Sequence, residues 1–318
     1  MATDNPTESY WLCPLYSFDC ASESVDLVEG LQIKHTIPGL GEYFQKHARD
    51  LYGRWDDPSE YKGVVLLPYK AKFTKGTSIE EKFLIGFEEH DRANNLLLDL
   101  VTALRLCHEG RIAVGPLILA ITSDSGWSVG NTESWTRVSE NDFLHKEPKY
   151  ILRQSDIPEV KNLLQDIRKW RETRVLDAVD IALRRSHSSY HGDIEDRIID
   201  QMIAFESLYL GSEQELTYKL ASRAAFLLRK RKDYRILIFN NLKKAYNYRS
   251  RIVHGDNPPS RKELRAIVPK TEDYLRQSIR KFLKLLASGY SLDTLKKGKD
   301  NKPAILDENI LKNGALLA

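Results

Sequence analysis

The sequence predicts an α+β N-terminal domain followed by an all-α helical bundle. Short strand-like stretches dominate residues 1–150, and long amphipathic stretches follow one another from residue 156 onwards. The charge also changes sign between the halves. Residues 1–150 carry 15 Lys and Arg against 23 Asp and Glu, a net charge of −8, whereas residues 151–318 carry 33 against 22, a net charge of +11. We therefore assign residues 1–150 to one domain, 151–290 to the helical domain and 291–318 to a C-terminal tail.

In the N-terminal domain, alternating or short apolar runs predict strands, and an amphipathic run predicts a helix. Asp91 is the expected cap of this helix, which ends near His108. A shorter helix is expected over residues 40–52. The predicted strands cover residues 25–33 with a break at Gly30, and residues 63–69, 82–87 and 114–120.

In the helical domain, apolar residues recur with the period of an α-helix. The first helix begins at Ser155-Asp156-Ile157-Pro158, where Pro occupies the first turn. A short further helix from Ile305 is expected in the tail. The six predicted helices cover approximately residues 156–171, 175–185, 193–210, 212–231, 234–254 and 263–286.

Composition indicates a cytoplasmic protein with free thiols and no membrane partner. The apolar run Ile118-Leu119-Ala120-Ile121 is too short to span a bilayer. The polar N-terminus has neither the basic nor the apolar region of a secretory signal. The cysteines, Cys13, Cys20 and Cys107, form no CxxC pair.

The fifth predicted helix concentrates reactive side chains where it ends at Gly255. Arg249 and His254 are five residues apart, which places them about 140° apart around one helix. They would converge more easily if two copies of this helix met across a symmetric dimer. Such a cleft suits cleavage of RNA without a metal ion: His254 would transfer protons, and Arg249 would stabilise the charge on the phosphorane. The alternative is that His254 contacts its own helix end and Arg249 is a surface charge.

The run 248–255, Tyr-Arg-Ser-Arg-Ile-Val-His-Gly, resembles the Arg-x4–6-His signature of the HEPN superfamily. The runs 196–208 and 219–228 are similar to the preceding helices of its Apea-like branch. The resemblance implies an all-α HEPN-type bundle that dimerises through the motif helix, often as a metal-independent endoribonuclease in toxin–antitoxin or anti-phage systems. Arg249 and His254 carry over as catalytic residues. Ser250 departs from the pattern, since many active members have Asn, Asp or His there, and its hydroxyl would serve as an orienting group. It also implies an alternative, because some members only bind nucleotides or partners.

Further residues could support such a site. Glu206 lies among apolar residues and needs a partner, for which Arg223 and Arg249 both qualify. Glu206 would orient Arg249, or it would form an ordinary salt bridge between helices. A basic belt near the motif would follow the phosphates of RNA, or it would be a solvated helix end. The belt consists of Arg229, Lys230, Arg231, Lys232, Arg235, Lys243, Lys244 and Arg251.

Neither a metal nor another cofactor is expected. His187 and His191 are four residues apart, but they fall in a predicted loop without a third ligand nearby. The leading hypothesis is therefore a homodimeric ribonuclease that binds RNA, with an N-terminal sensing or regulatory domain for a protein or small-molecule trigger. The rivals are a non-catalytic dimerisation module that binds RNA or nucleotide, and an antitoxin-like interaction protein.

Overall fold

The chain divides into two compact units, residues 1–164 and 165–318. The first is rich in strands, and the second is mostly helical. The predicted helix over residues 40–52 lies outside the described residues. The computed structural model describes residues 8–35, 37, 63–72, 77–110, 112–115, 117–123, 126–129, 149–172, 177–190, 192–211, 216–298 and 302–317.

The first unit is built on an antiparallel sheet with strand order β3-β4-β5-β1-β7-β8, and β6 pairs with the end of β1. β1 lies between β5 and β7 in this order, and its last six residues are buried. β2 and β9 form a separate parallel pair. The strands are β1 (Ser9–Tyr16), β2 (Phe18–Cys20), β3 (Ser24–Asp26), β4 (Gln32–Lys34), β5 (Gly63–Pro68), β6 (Ala113–Val114), β7 (Ile118–Ser123), β8 (Gly126–Val129) and β9 (Tyr150–Leu152).

The long helix α1 (Ile79–Cys107) replaces the strand predicted over residues 82–87, which was wrong. Ser78 and Glu81 form a reciprocal capping box that starts the helix more than two turns before Asp91, the predicted cap. The apolar run therefore continues a helix whose start is set by its cap. Leu96, Leu100 and Leu104 are buried as predicted.

The six predicted helices are confirmed with ends shifted by a few residues. The first of them, α2, begins in the first unit and ends in the second. His187 lies in the last turn of α3, so its placement in a loop was wrong, and His191 lies outside the described residues. The helices are α2 (Ile157–Glu172), α3 (Ala178–Ser188), α4 (Ile194–Tyr209), α5 (Leu216–Leu228), α6 (Lys232–His254), α7 (Arg261–Ala287), α8 (Leu292–Lys296) and α9 (Ile305–Leu311).

Helix α4 is central to the second unit, where it packs against α3, α5, α6 and α7. Its inner residues Phe205 and Leu208 are fully buried, and the hydroxyl of Tyr209 bonds the Ser278 hydroxyl on α7 at 2.8 Å. The residues assigned to a tail by sequence fold back, and α9 packs against α5. Among the helices that the structure describes, none combines the length and apolar composition needed to cross a bilayer.

Candidate functional site

Helix α6 ends at Gly255, as the sequence predicts. This residue adopts a left-handed conformation with φ 72°, which glycine tolerates without steric cost. Its N–H donates to the Ile252 carbonyl at 3.3 Å, and the Asp256 N–H donates to the Arg251 carbonyl at 3.0 Å. These bonds satisfy carbonyls that the helix end leaves open, so His254 occupies a defined last position of the helix.

The turn from α6 to α7 is fixed by side chains on both sides. Arg251 donates from Nε to the Asn257 carbonyl at 2.8 Å, and the Tyr248 hydroxyl donates to Glu263 at 3.0 Å. Ser260 and Glu263 form a capping box at the start of α7. Bonds from the Ser260 side chain and backbone and from Tyr248 lower the pKa of Glu263 to about 2. Arg251 therefore holds the turn that follows the motif.

Arg249 contacts Glu206. The sequence offered both Arg223 and Arg249 as partners for this carboxylate, and the structure places Arg249 beside it. Nη2 of Arg249 lies 3.9 Å from Oε2 of Glu206, and both side chains are 25% exposed. This distance is an ion pair but exceeds a hydrogen bond. The Nε of Arg249 is buried and has no hydrogen-bond partner among the described residues. The ion pair with Glu206 therefore holds the guanidinium, and its Nε–H keeps an unused capacity to donate a hydrogen bond.

Tyr246 completes this cluster, and sequence reasoning missed it. Its hydroxyl faces the Glu206 carboxylate, and its ring centroid lies 6.0 Å from Cζ of Arg249. Burial raises the pKa of Tyr246, and its interaction with the Glu206 carboxylate raises it further. The sequence signal that could have identified Tyr246 is its position, one helical turn before Arg249. Tyr246, Glu206 and Arg249 therefore form a three-membered cluster between α6 and α4.

His254 lies apart from this cluster on the same helix. It is exposed, whereas Arg249 leans back towards α4. Five residues correspond to roughly 7.5 Å along the axis in addition to the rotation around it. Arg249 and His254 of one chain therefore face different directions. A cleft that uses both groups would need two chains, each of which supplies half of it.

A partly apolar stripe runs along the surface of α6 into this region. Its members recur every three or four residues, so they share one helix face. Ile236 and Val253 at its ends are 50% and 51% exposed, and Ser250 within it is half-buried. The T-shaped contact between Phe239 and Tyr218 of α5 widens the stripe. The α6 stripe consists of Ile236, Phe239, Lys243, Tyr246, Ser250 and Val253.

Arg223 belongs to a different part of the helical unit. It is buried and forms two hydrogen bonds with the Asp307 carboxylate of α9, from Nε to Oδ1 and from Nη2 to Oδ2, each at 2.7 Å. Its Nη1 donates to the Tyr209 carbonyl at the end of α4. The structure therefore gives Arg223 the geometry of a structural ion pair, with Asp307 as the carboxylate that it binds.

The predicted basic belt is divided between the two ends of α6. Lys243, Lys244 and Arg251 lie in the half that carries the motif, whereas residues 229–232 lie at the helix start. The helix spans 23 residues, so its start is roughly 33 Å from His254.

Several members of the belt have partners within the protein. Arg229 binds the Gln277 side chain of α7, and Arg231 pairs with Asp233. Arg235 is buried and donates to the Arg229 and Asn313 carbonyls. Lys230 and Lys232 are exposed at the start of α6. Continuity of the belt in the sequence therefore does not correspond to one continuous surface.

Within the part of the chain that the structure describes, no group of three or more His, Cys, Asp or Glu side chains is placed to hold a metal ion. The groups on the second half of α6 and beside it are an imidazole, a guanidinium, a hydroxyl, a phenol and a carboxylate. Such groups can transfer protons and stabilise an anion.

Comparison of this chain with protein-family models, with curated proteins and with solved structures gave no significant match.

Proposed function

We propose that this protein is a metal-independent endoribonuclease of HEPN type, which cleaves RNA at a composite site formed by two protomers. The resemblance of the motif helix supports this proposal. The observation that carries it is the half-site on α6: Arg249 is held by Glu206 with an unused donor, and His254 is exposed at the helix end. An anti-phage or toxin–antitoxin role follows from the same resemblance.

The proposed reaction uses the RNA 2′-hydroxyl as nucleophile. One His254 removes its proton, and the 2′-oxygen attacks phosphorus while the bond from phosphorus to the 5′-oxygen breaks. The His254 of the second copy protonates that 5′-oxygen. Arg249 stabilises the phosphorane with charge-assisted hydrogen bonds, and Ser250 orients the phosphate. The products are a 2′,3′-cyclic phosphate and a free 5′-hydroxyl.

The α6 stripe supports dimerisation through the motif helix. A helix face that exposes large apolar side chains is typical of a surface covered by a partner. In a two-fold dimer the same stripe packs against itself, so each copy brings its own Arg249 and His254 to the shared cleft. Lys244 lies beside this stripe and is exposed, so it can contact RNA phosphates, whereas Lys243 lies within the stripe that the partner covers. The first unit serves as the sensing or regulatory part in this proposal.

Cleavage by the wild-type protein in EDTA tests the proposal. We expect RNA to be cut, with 2′,3′-cyclic phosphate ends detected by mass spectrometry, because no step requires a metal ion. The same oligonucleotide with 2′-O-methyl groups should resist, because its nucleophile is blocked. Absence of cleavage in EDTA, or cleavage restored only by Mg²⁺, contradicts the mechanism. Retained RNA binding without cleavage favours the non-catalytic module.

A Tyr246→Phe variant should lower kcat about tenfold and leave KM for RNA close to that of the wild type. The hydroxyl interacts with the carboxylate that holds Arg249, and loss of about 1.4 kcal/mol of transition-state stabilisation lowers a rate tenfold. The phenyl ring stays, so the α6 stripe keeps its apolar surface. Steady-state kinetics separate the two constants.

Tyr218→Phe is the matched control, because its 61% exposed ring also contacts the α6 stripe. We expect wild-type kinetics for this variant. Equal kcat values for Tyr246→Phe and wild type would show that the phenol does not position Arg249. A change in KM alone would place Tyr246 in RNA binding instead.

A further inference from the structure

Helices α6 and α7 form an antiparallel hairpin. Three side-chain contacts show which residues of the two helices lie beside one another. Tyr248 bonds Glu263 near the motif, Asn241 bonds the Tyr274 hydroxyl at 3.0 Å farther along, and Arg229, just before α6, bonds Gln277. The second half of α7 therefore lies beside the start of α6. Residues beyond Gln277 are consequently remote from His254.

A cluster of lysines lies at this remote end. Lys281 follows Gln277 by one helical turn, Lys284 follows by two, and Lys230 is the neighbour of Arg229. Burial lowers the pKa of Lys281, and the nearby charges of Lys284 and Lys230 lower it further. Burial raises the pKa of Asp166 of α2, and the charges of Lys284 and Lys169 lower it, so this carboxylate borders the cluster. The three lysines outnumber it, and a surface of one net sign attracts a polyanion.

We propose that Lys230, Lys281 and Lys284 form a second RNA-contact surface, which binds the strand about 30 Å from the motif end and thereby sets a minimum length for efficient substrates. This inference rests on the proposed ribonuclease function. It adds a binding surface in which α7 supplies two of the three cations, and it separates that surface from the proposed cleavage end.

The distance between the two ends follows from each helix independently. Along α7, Glu263 and Lys284 are separated by 21 residues, which corresponds to roughly 32 Å. Along α6, the 23 residues from Lys232 to His254 correspond to roughly 33 Å. With stacked phosphates about 3.4 Å apart, a strand needs roughly nine or ten nucleotides to reach from one end to the other.

A phosphate strand suits this surface better than a lipid surface does. The apolar residues between the two lysines of α7, Phe282 and Leu283, are buried in the core. Lys230 and Lys284 are exposed, and Lys281 is partly exposed. Between its two lysines α7 thus presents charge without exposed apolar side chains of the kind that insert into a membrane interface.

Binding is measured first, in EDTA and in a His254→Ala background so that RNA stays intact. A Lys230→Gln, Lys281→Gln, Lys284→Gln triple variant should weaken binding of an RNA of about 24 nucleotides at least tenfold. The slope of log affinity against log salt should become shallower by about 2, since each phosphate contact contributes about 0.7. The matched control is Lys270→Gln, Lys297→Gln, Lys312→Gln, which removes three charges elsewhere on the second unit and should match wild type.

Cleavage is measured next, with His254 present. The triple variant should cut the long RNA at least tenfold more slowly at subsaturating RNA, and it should cut an RNA of about six nucleotides like wild type, because that RNA cannot reach both ends. Equal effects on both lengths, or identical binding by the triple and control variants, would overturn the inference. So would selective loss of binding to phosphatidylserine vesicles with RNA binding intact, which would indicate a membrane surface. If wild type cleaves neither RNA but the triple variant still loses binding, the ribonuclease proposal fails while the RNA-contact surface stands.

Discussion

A His254→Ala variant is expected to cut RNA about 10²- to 10⁴-fold more slowly than wild type, and to bind RNA with unchanged affinity. One proton-transfer group contributes about this factor to a rate. In the proposed cleft the two copies of His254 act as base and acid, so the substitution removes both, and we expect the upper part of the range. His254 is exposed and its helix is capped by Gly255, so the fold should not change. Single-turnover cleavage and fluorescence anisotropy measure the two quantities.

Mixed dimers give a sharper form of this experiment. Wild-type and His254→Ala subunits are allowed to exchange, and activity is measured against the wild-type fraction. A cleft that needs both imidazoles predicts activity proportional to the square of that fraction, because only homodimers of wild type are active. A linear dependence would show that each protomer carries a complete site. His35→Ala, which removes a half-exposed imidazole of the first unit, should leave activity unchanged.

An Asp307→Ala variant is expected to destabilise the helical unit by about 3–5 kcal/mol. The Arg223 side chain is 0% exposed, and Asp307 supplies its bidentate partner. Removal of this carboxylate leaves a buried guanidinium without the bidentate partner that Asp307 supplies. Urea unfolding of the full chain, followed by circular dichroism at helix wavelengths, measures the loss as a lower midpoint.

The control is Asp293→Ala. It removes a carboxylate of α8 from an exposed ion pair with Lys297, which follows that helix. Exposed pairs contribute about 0–1 kcal/mol, so this midpoint should stay close to that of wild type. Similar midpoints for the two variants would show that the pair of Arg223 with Asp307 does not hold α9 against α5. RNA cleavage at temperatures where both variants are folded should match wild type, because Arg223 is assigned to structure rather than to chemistry.

The parts of this protein that follow from local sequence were predictable. The six helices after residue 156 carry a 3.6-residue apolar period, and the end of α6 is set by Gly255, which adopts the conformation that glycine favours. The candidate residues Arg249 and His254 were found because they lie close together in the sequence. Their separation around a single helix, which led to the idea of a half-site, also follows from helical geometry alone.

Only the tertiary structure decided which groups meet. The carboxylate of Glu206 had two candidate partners, and packing of α4 against α6 placed it near Arg249 and Tyr246, while Asp307 from the C-terminal segment binds Arg223. These pairs are far apart in sequence, so no local pattern records them.

Two predicted elements were wrong, the strand over residues 82–87 and the loop around His187, and both belong to helices. Residues 82–87 have an apolar run that suits a strand, but the capping box at Ser78 starts a helix that includes them. The basic residues 229–232 are neighbours of the motif helix in sequence, yet that helix carries them roughly 33 Å from His254. Sequence thus determined the helices and the chemistry that each one carries. The three-dimensional packing determined which charged side chains pair within the protein and which remain available to a ligand, because pairing depends on distances between elements.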